Sequence, residues 1–219
     1  MIKILFDLQP LQSNASGQRG VGRYTQNLIK NFIDIFSNEY EIHLLLNNAF
    51  PDSVELIKNQ FTMINDDKFH LFNTNAFDTI YSVTNKDLIK AYEILKEIFI
   101  SSINPDIFVS TNLQEGFSEP CISSVKCTQS NIFYITTLHD LVPFHYMDDY
   151  LSNPVVNEWY KNKIDYALKS DLILTDSVSS KDDIIKFTNA EPDKVEVVDL
   201  GFDNSGFSIN DSNINERAV

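Results

Sequence analysis

Ser16-Gly17-Gln18-Arg19-Gly20-Val21-Gly22-Arg23-Tyr24 is the stretch on which the reading of this chain turns. Before it, Met1 to Leu8 carries Ile2, Ile4, Leu5, Phe6 and Leu8, the apolar run of a buried strand. After it, Val21, Tyr24, Leu28, Phe32, Ile35 and Phe36 fall three or four apart, which predicts a helix with one apolar face. Three glycines therefore stand where a first strand hands over to a first helix. Glycine lets backbone approach a ligand closely, and a helix N-terminus offers N–H groups with a partial positive charge. Arg19 and Arg23 add fixed cations suited to phosphate. A phosphate-bearing ligand is expected at Gly17, Arg19, Gly20, Gly22 and Arg23. The competing readings are a tight turn that packs helix on strand, and a dinucleotide loop. The spacing here is Gly17-x-x-Gly20-x-Gly22 and the second strand ends in Asn47-Asn48, with no acidic residue for a ribose, which disfavours an NAD-dependent oxidoreductase.

Outward from this stretch, strand and helix signals alternate. Strands are predicted at Glu41 to Leu46, Lys68 to Asn73, Asp106 to Ser110, Ile132 to Leu138, Asp171 to Thr175 and Lys194 to Leu200. Helices are predicted at Ser53 to Ile64, Asn85 to Ile103 (Leu88, Tyr92, Leu95 and Phe99 on one face), Pro154 to Leu168 and Ser177 to Phe187. The fold class that follows is α/β: a single Rossmann-like domain, with a mostly parallel sheet covered by helices on both faces. In such sheets ligands bind beyond the carboxyl ends of the strands, which selects the loops after Leu8, Ser110, Leu138 and Thr175. From Asp203 the chain turns polar, so the domain is expected to span 1–203, with 204–219 a linker or disordered tail.

Composition narrows the function. The chain has 219 residues, 43% of them apolar, enough for a sizeable core. A formal net charge of -14 argues against non-specific nucleic-acid binding and against a broad basic membrane patch. No apolar run reaches the length of a transmembrane segment, and the N-terminus lacks a signal-peptide pattern, its apolar run holding Asp7. Cys121 and Cys127, without a histidine at metal spacing, read as ordinary reduced thiols, and a cytoplasmic location is expected.

His139-Asp140, at the end of Ile135-Thr136-Thr137-Leu138, is the candidate catalytic pair. An imidazole at a strand end faces the cleft, where it could bond a sugar hydroxyl or a phosphate; the plainer reading satisfies His139 from backbone and gives Asp140 to capping the next turn. Asn112 and Glu115, in the polar loop Asn112 to Glu119, and Ser177 are candidate acceptor contacts, with helix capping the first role for Ser177. His43 and His70 fall inside strand patterns and read as core or surface. Asp148-Asp149 lacks a third carboxylate at a fixed offset and reads as a solvated loop; no metal site is expected.

Taken together, these stretches resemble the N-terminal, acceptor-side domain of a GT-B fold, family 4 glycosyltransferase. The residues that carry the likeness are Ile4-Leu5-Phe6-Asp7, Arg19-Gly20-Val21-Gly22-Arg23-Tyr24-Thr25, Pro105-Asp106-Ile107 and Thr137-Leu138-His139-Asp140-Leu141-Val142-Pro143, followed by Ser170 to Ser177, Lys181 to Ile184 and Lys194 to Val198. The resemblance implies two Rossmann-like domains with the reaction between them, and a retaining transfer from a nucleotide sugar to a glycan or lipid-linked acceptor in cell-surface polysaccharide synthesis. It places the Gly17–Gly22 loop near a donor diphosphate or acceptor phosphate and His139 near the transferred sugar. It implies no cofactor beyond the nucleotide-sugar substrate and no metal dependence. A peripheral place at the inner membrane surface fits such an acceptor. The family's donor domain carries two glutamates eight positions apart; no two glutamates here are so spaced. The C-terminal donor-binding domain is therefore expected to be absent, and the chain inactive by itself. The alternative is a non-catalytic glycan-binding protein or a subunit that pairs with a separate donor-binding chain.

Overall fold

A computed structural model describes residues 1–73 and 86–201. Seven strands, all parallel, form one sheet: β1 (Ile2–Asp7), β2 (Tyr40–Asn47), β3 (Phe69–Phe72), β4 (Ile107–Ser110), β5 (Phe133–Thr137), β6 (Leu172–Thr175) and β7 (Val195–Val197). Their order is β3-β2-β1-β4-β5-β6-β7. The helices are α1 (Gln9–Gln12), α2 (Gly20–Phe36), α3 (Pro51–Lys58), α4 (Lys86–Ile103), α5 (Val142–His145), α6 (Met147–Tyr150), α7 (Pro154–Leu168) and α8 (Val178–Thr188). This is the α/β, Rossmann-like fold the alternation predicts.

Strand side chains alternate between faces, so each strand feeds two cores. Ile4, Phe6, Ile42 and Leu44 pack on one face with Ile29 and Ile33 of α2 and Ile57 of α3. Leu5, Phe108, Tyr134 and Ile173 pack on the other with Ile100 of α4, Ile164 of α7 and Ile184 of α8. That division follows from handedness. Right-handed crossovers running outward from β1 to β3 put their helices on one side of the sheet, and those running back through β4 to β7 on the other. Between β1 and β4 the order reverses, the place at the carboxyl ends of the strands where open α/β sheets form their ligand crevice.

Several boundaries differ from the sequence expectation. The helix after β2 ends at Lys58, short of Ile64; beyond it Phe61 turns into the core with no exposure. The last strand stops at Val197, before Leu200. A short helix, α1, follows β1 where none is signalled. Helix α4 ends as expected before Pro105, with Asn104 in the left-handed region at φ 53°. Its buried face matches the predicted one only in part: Tyr92 and Phe99 pack against the core, but Leu88 and Leu95 are 36% and 51% exposed, and Glu93, Lys96, Glu97 and Ile100 point inward. The reason lies in what this face must hold. The connection from β4 to β5 contains no helix, and its irregular backbone needs polar partners that apolar side chains cannot supply. The predicted start of this helix at Asn85, and the predicted tail 204–219, lie outside the described residues.

Candidate functional site

The first wall of the crevice is the turn after β1. Gly17 N–H donates to Ser13 O (2.7 Å), Arg19 N–H to Ser16 O (2.9 Å) and Gly22 N–H to Ser16 O (3.1 Å). This tightness needs glycine at two of the three positions. A Cβ on Gly22 would lie 2.3 Å from Gly17 O, and one on Gly17 2.6 Å from Leu11 O, whereas one on Gly20 would meet nothing within 4 Å. Gly17 and Gly22 thus close the turn, and Gly20 leaves the N-terminus of α2 clear. Arg19 and Arg23 are exposed. Arg23 lines a cavity of about 430 Å³ with Leu11, Gly17, Gln18, Gln26 and Gln60, on the α3 side of α2.

The second wall is the 111–132 segment after β4. Buried charge holds it. Lys96 Nζ lies 2.6 Å from Asp7 Oδ2 and donates to Ile122 O at 2.5 Å, with both side chains almost wholly buried. Gln9 donates from Nε2 to the Asp7 carboxylate and to Ile122 O, while its Oε1 accepts from Ile122 N and from Asn47 Nδ2. Glu97 accepts from Ser124 Oγ and Thr128 N, and Lys163 Nζ donates to Ser123 O at 2.6 Å. Burial pushes the Lys163 ammonium down to about 8. Tyr166 donates to Glu93 in a short bond, and Lys90 contacts Glu93, Tyr166 and the Cys127 sulfur. Both cysteines are free thiols.

Within this wall the candidate acceptor contacts turn inward. Asn112 Nδ2 donates to Glu115 Oε1 at 2.7 Å, and both residues are buried. Burial raises the Glu115 carboxyl above its usual range, opposed by hydrogen bonds from Ser16, Ser13 and Asn112. Glu115, Glu119 and Cys121 bring ligand-type atoms within 4.8 Å of one another, the grouping among the described residues with the geometry to receive a cation. Thr25 of α2 and Thr111 join the two walls through a hydroxyl pair at 2.6 Å.

His139 stands beside this junction, at the end of β5. Its Nδ1 is 3.4 Å from Asp176 Oδ2, at the end of β6, and its ring meets Tyr24 of α2 edge to face at 5.0 Å. Its Nε2 is buried and has no hydrogen-bond partner among the described residues. Burial raises the Tyr24 hydroxyl, with Thr137 opposing and Asp176 adding to the rise. Asp140 is exposed and accepts from Val142 N at 3.0 Å, the capping role weighed for it from sequence. Ser177 caps α8 by accepting from Ser180 N at 3.1 Å.

The structure therefore brings His139 together with Tyr24 and Asp176, and separates it from Arg23. Adjacent positions on a helix point about 100° apart, so Tyr24 faces β5 while Arg23 faces the cavity beside α3. Asp7, Lys96, Gln9 and Asn47 were not singled out as a group by sequence, though an Asp inside an apolar strand and the spacing of Glu93, Lys96, Glu97 and Ile100 were both visible. His43 and His70, read as core or surface, stack across β2 and β3 with Nδ1 and Nε2 2.8 Å apart.

No protein-family profile matches the sequence. The chain is 28% identical over 194 residues, 88% of its length, to a serotype-specific mannosyltransferase WbdA of Escherichia coli, and 26% identical over 161 residues to a second protein so described. It spans 23% and 20% of the lengths of these relatives. Among solved structures it is similar to a glycosyltransferase from Rickettsia africae ESF-5, with a TM-score of 0.52 and 16% identity over 92% of this chain and 44% of that one. Arabidopsis thaliana UGT89C1 complexed with UDP-L-rhamnose matches at a TM-score of 0.50 and 8% identity, over 94% of this chain and 54% of that one. The fold is that of one half of a GT-B glycosyltransferase. No described helix is long and apolar enough to cross a membrane.

Proposed function

We propose that this chain is the acceptor-side half of a retaining glycosyltransferase that moves a sugar, of mannose type by the relatives' names, from a nucleotide sugar to a glycan or lipid-linked acceptor in cell-surface polysaccharide synthesis. The observation that carries the reading is His139: an imidazole at the carboxyl edge of the sheet, next to the switch point, with a buried and unpartnered Nε2. A buried polar atom without a partner is costly, and a ligand hydroxyl at this position would satisfy it. The open N-terminus of α2 at Gly20, with Arg19 and Arg23 exposed around it, is suited to phosphate. His139 orients the sugar, and the glycine turn holds phosphate. Asn112, Glu115 and Ser177 shape the acceptor side from positions already tied into the fold. Asp140 acts beside His139 by fixing the turn that follows it.

Transfer requires donor and acceptor to be held together with water excluded, and positioning supplies much of the rate. One wall of such a cleft leaves the leaving diphosphate in solvent, so the donor-binding surface is expected to come from a further domain or a separate chain. The test is a multiple-turnover assay of the 219-residue chain with nucleotide-activated mannose and a mannan acceptor. Negligible transfer, together with mannoside binding that Asn replacement of His139 abolishes, is the expected result. Turnover at ordinary enzyme rates, on the order of 1 s⁻¹ or faster, would show that the chain needs no second half. Mannoside binding that survives the His139→Asn change would remove His139 from the site.

A further inference from the structure

We propose that Asp176 is a positioning residue that fixes His139 as the Nδ1–H tautomer, leaving Nε2 as a bare acceptor that takes a sugar hydroxyl and rejects a phosphate oxygen. This rests on the reading of His139 as a sugar contact and goes beyond it by assigning the chemistry of the ligand atom. A neutral imidazole has one N–H and one lone-pair nitrogen, and the hydrogen bond made by one nitrogen decides the state of the other. An ionised carboxylate can only accept. With Asp176 Oδ2 3.4 Å from Nδ1, the proton belongs on Nδ1 and the lone pair on Nε2.

The surroundings of the ring agree with that assignment. Tyr24 meets it edge to face, with the ring planes at 87°. Thr175 Oγ1 donates to the His139 carbonyl at 3.4 Å and so ties the end of β6, with Asp176 next in the chain, to the end of β5. Nε2 is buried and finds no partner among the described residues, so its lone pair is left for a ligand. A hydroxyl brings the proton this lone pair needs. A phosphate diester, or the diphosphate of a nucleotide sugar, carries no P–OH at neutral pH and brings only another lone pair. The two ligand atoms that the sequence allowed for His139 are thereby separated: hydroxyl at His139, and phosphate at the glycine turn, where N–H groups and arginines are the available donors.

The experiment uses the full chain labelled with ¹⁵N, with imidazole nitrogens observed by long-range proton–nitrogen correlation at pH 8, above the ordinary titration range of histidine. The His139 signals are those lost in His139→Gln. The wild type is expected to show a protonated Nδ1 and an unprotonated Nε2 at His139. Asp176→Ala is expected to lose that preference while the signals of His43, His70 and His145 stay in place, which reports that the variant is folded. An Nε2–H tautomer in the wild type, or an unchanged tautomer in Asp176→Ala, overturns the proposal. Methyl α-mannoside is expected to shift the wild-type Nε2 signal, with affinity falling about ten-fold in Asp176→Ala, the worth of one well-placed hydrogen bond. Dimethyl phosphate, which has no P–OH, is expected to leave the Nε2 signal unmoved, and a shift of Nε2 induced by it overturns the assignment of a hydroxyl. The predicted tautomer with no response to the mannoside overturns the sugar reading of His139 and leaves the role of Asp176 standing, so the two failures are told apart.

Discussion

The two walls of the crevice meet the same demand by opposite means. After β1 the chain must turn sharply into α2, and it does so by leaving side chains out: Gly17 and Gly22 let backbone lie against backbone, and the N–H groups find carbonyls within the turn. After β4 the 111–132 segment is too long and irregular to satisfy itself, and side chains are brought in from outside. Lys96, Glu97 and Lys163 reach from α4 and α7 to its backbone and hydroxyls. A turn that closes on itself needs small residues, whereas a segment without internal ladders needs long polar ones. The first solution is steric and local. The second is electrostatic and depends on residues far away in the sequence.

Removing Lys96 should break the comparison most strongly. Lys96→Met leaves Asp7 charged, almost fully buried and without its cation, and it frees the Ile122 carbonyl from one of its donors. Breaking a buried pair from one side costs about 3–5 kcal/mol. Urea unfolding should show that loss, and Asp7→Asn in the Lys96→Met background should recover part of it by removing the stranded charge. A loss below about 1 kcal/mol would mean that Asp7 reaches solvent or another cation, and that the second wall is not held by charge.

Lys163 sharpens the contrast, because its ammonium meets a carbonyl and not a carboxylate. Burial lowers it to about 8 in the folded chain, against an ordinary lysine value of about 10.4 when unfolded. Between those values the unfolded chain binds more protons than the folded one, so stability rises with pH across that window. The stabilisation is fully present above the unfolded value and is lost as pH falls through the folded one. The rise is worth up to roughly 3 kcal/mol. Lys163→Met should abolish it, which is read as the difference between the stability–pH curves of the two proteins from pH 8 to 10.5. Parallel curves would mean that the amine carries its charge at no cost, and that Ser123 is held by something other than this lysine.

These two lysines also show why the fold was more legible than the site. Alternation of apolar runs with helical spacing reports which residues meet a sheet, and it placed α7 from Pro154 to Leu168 and all seven strands close to where they lie. On α4 the same rule held for Tyr92 and Phe99 and failed for Leu88 and Leu95, because the periodicity counts apolar residues and this helix also turns charged ones inward. Their partners, Asp7 and the 121–128 backbone, are brought near by the crossover from β3 to β4 and have no fixed spacing from Lys96. His139 could be located from its place after a strand. Asp176 and Tyr24 could not be joined to it, since that contact needs the ends of β5 and β6 and the first turn of α2 to be known together.

The smallest expected effect separates packing from ligand binding within the first wall. Gly22→Ala places a Cβ 2.3 Å from a backbone oxygen that cannot swing aside, and should cost about 1–3 kcal/mol. Gly20→Ala meets nothing within 4 Å, and Gly20 is not among the positive-φ residues, so alanine fits its conformation. Its stability should change by less than about 1 kcal/mol, with a gain from the stiffer unfolded chain as the expected sign. Two measurements on this one variant then have different meanings. An unaltered melting curve shows that Gly20 is not needed for the turn. Weaker binding of inorganic phosphate by a protein with that unaltered curve would tie Gly20 to close approach of a ligand at the α2 N-terminus, as the phosphate proposal requires. Unchanged phosphate binding would shift the anion away from Gly20, toward the cavity that Arg23 lines with Gln18, Gln26 and Gln60. The first wall would then be a packing device whose one dispensable glycine does not touch the ligand.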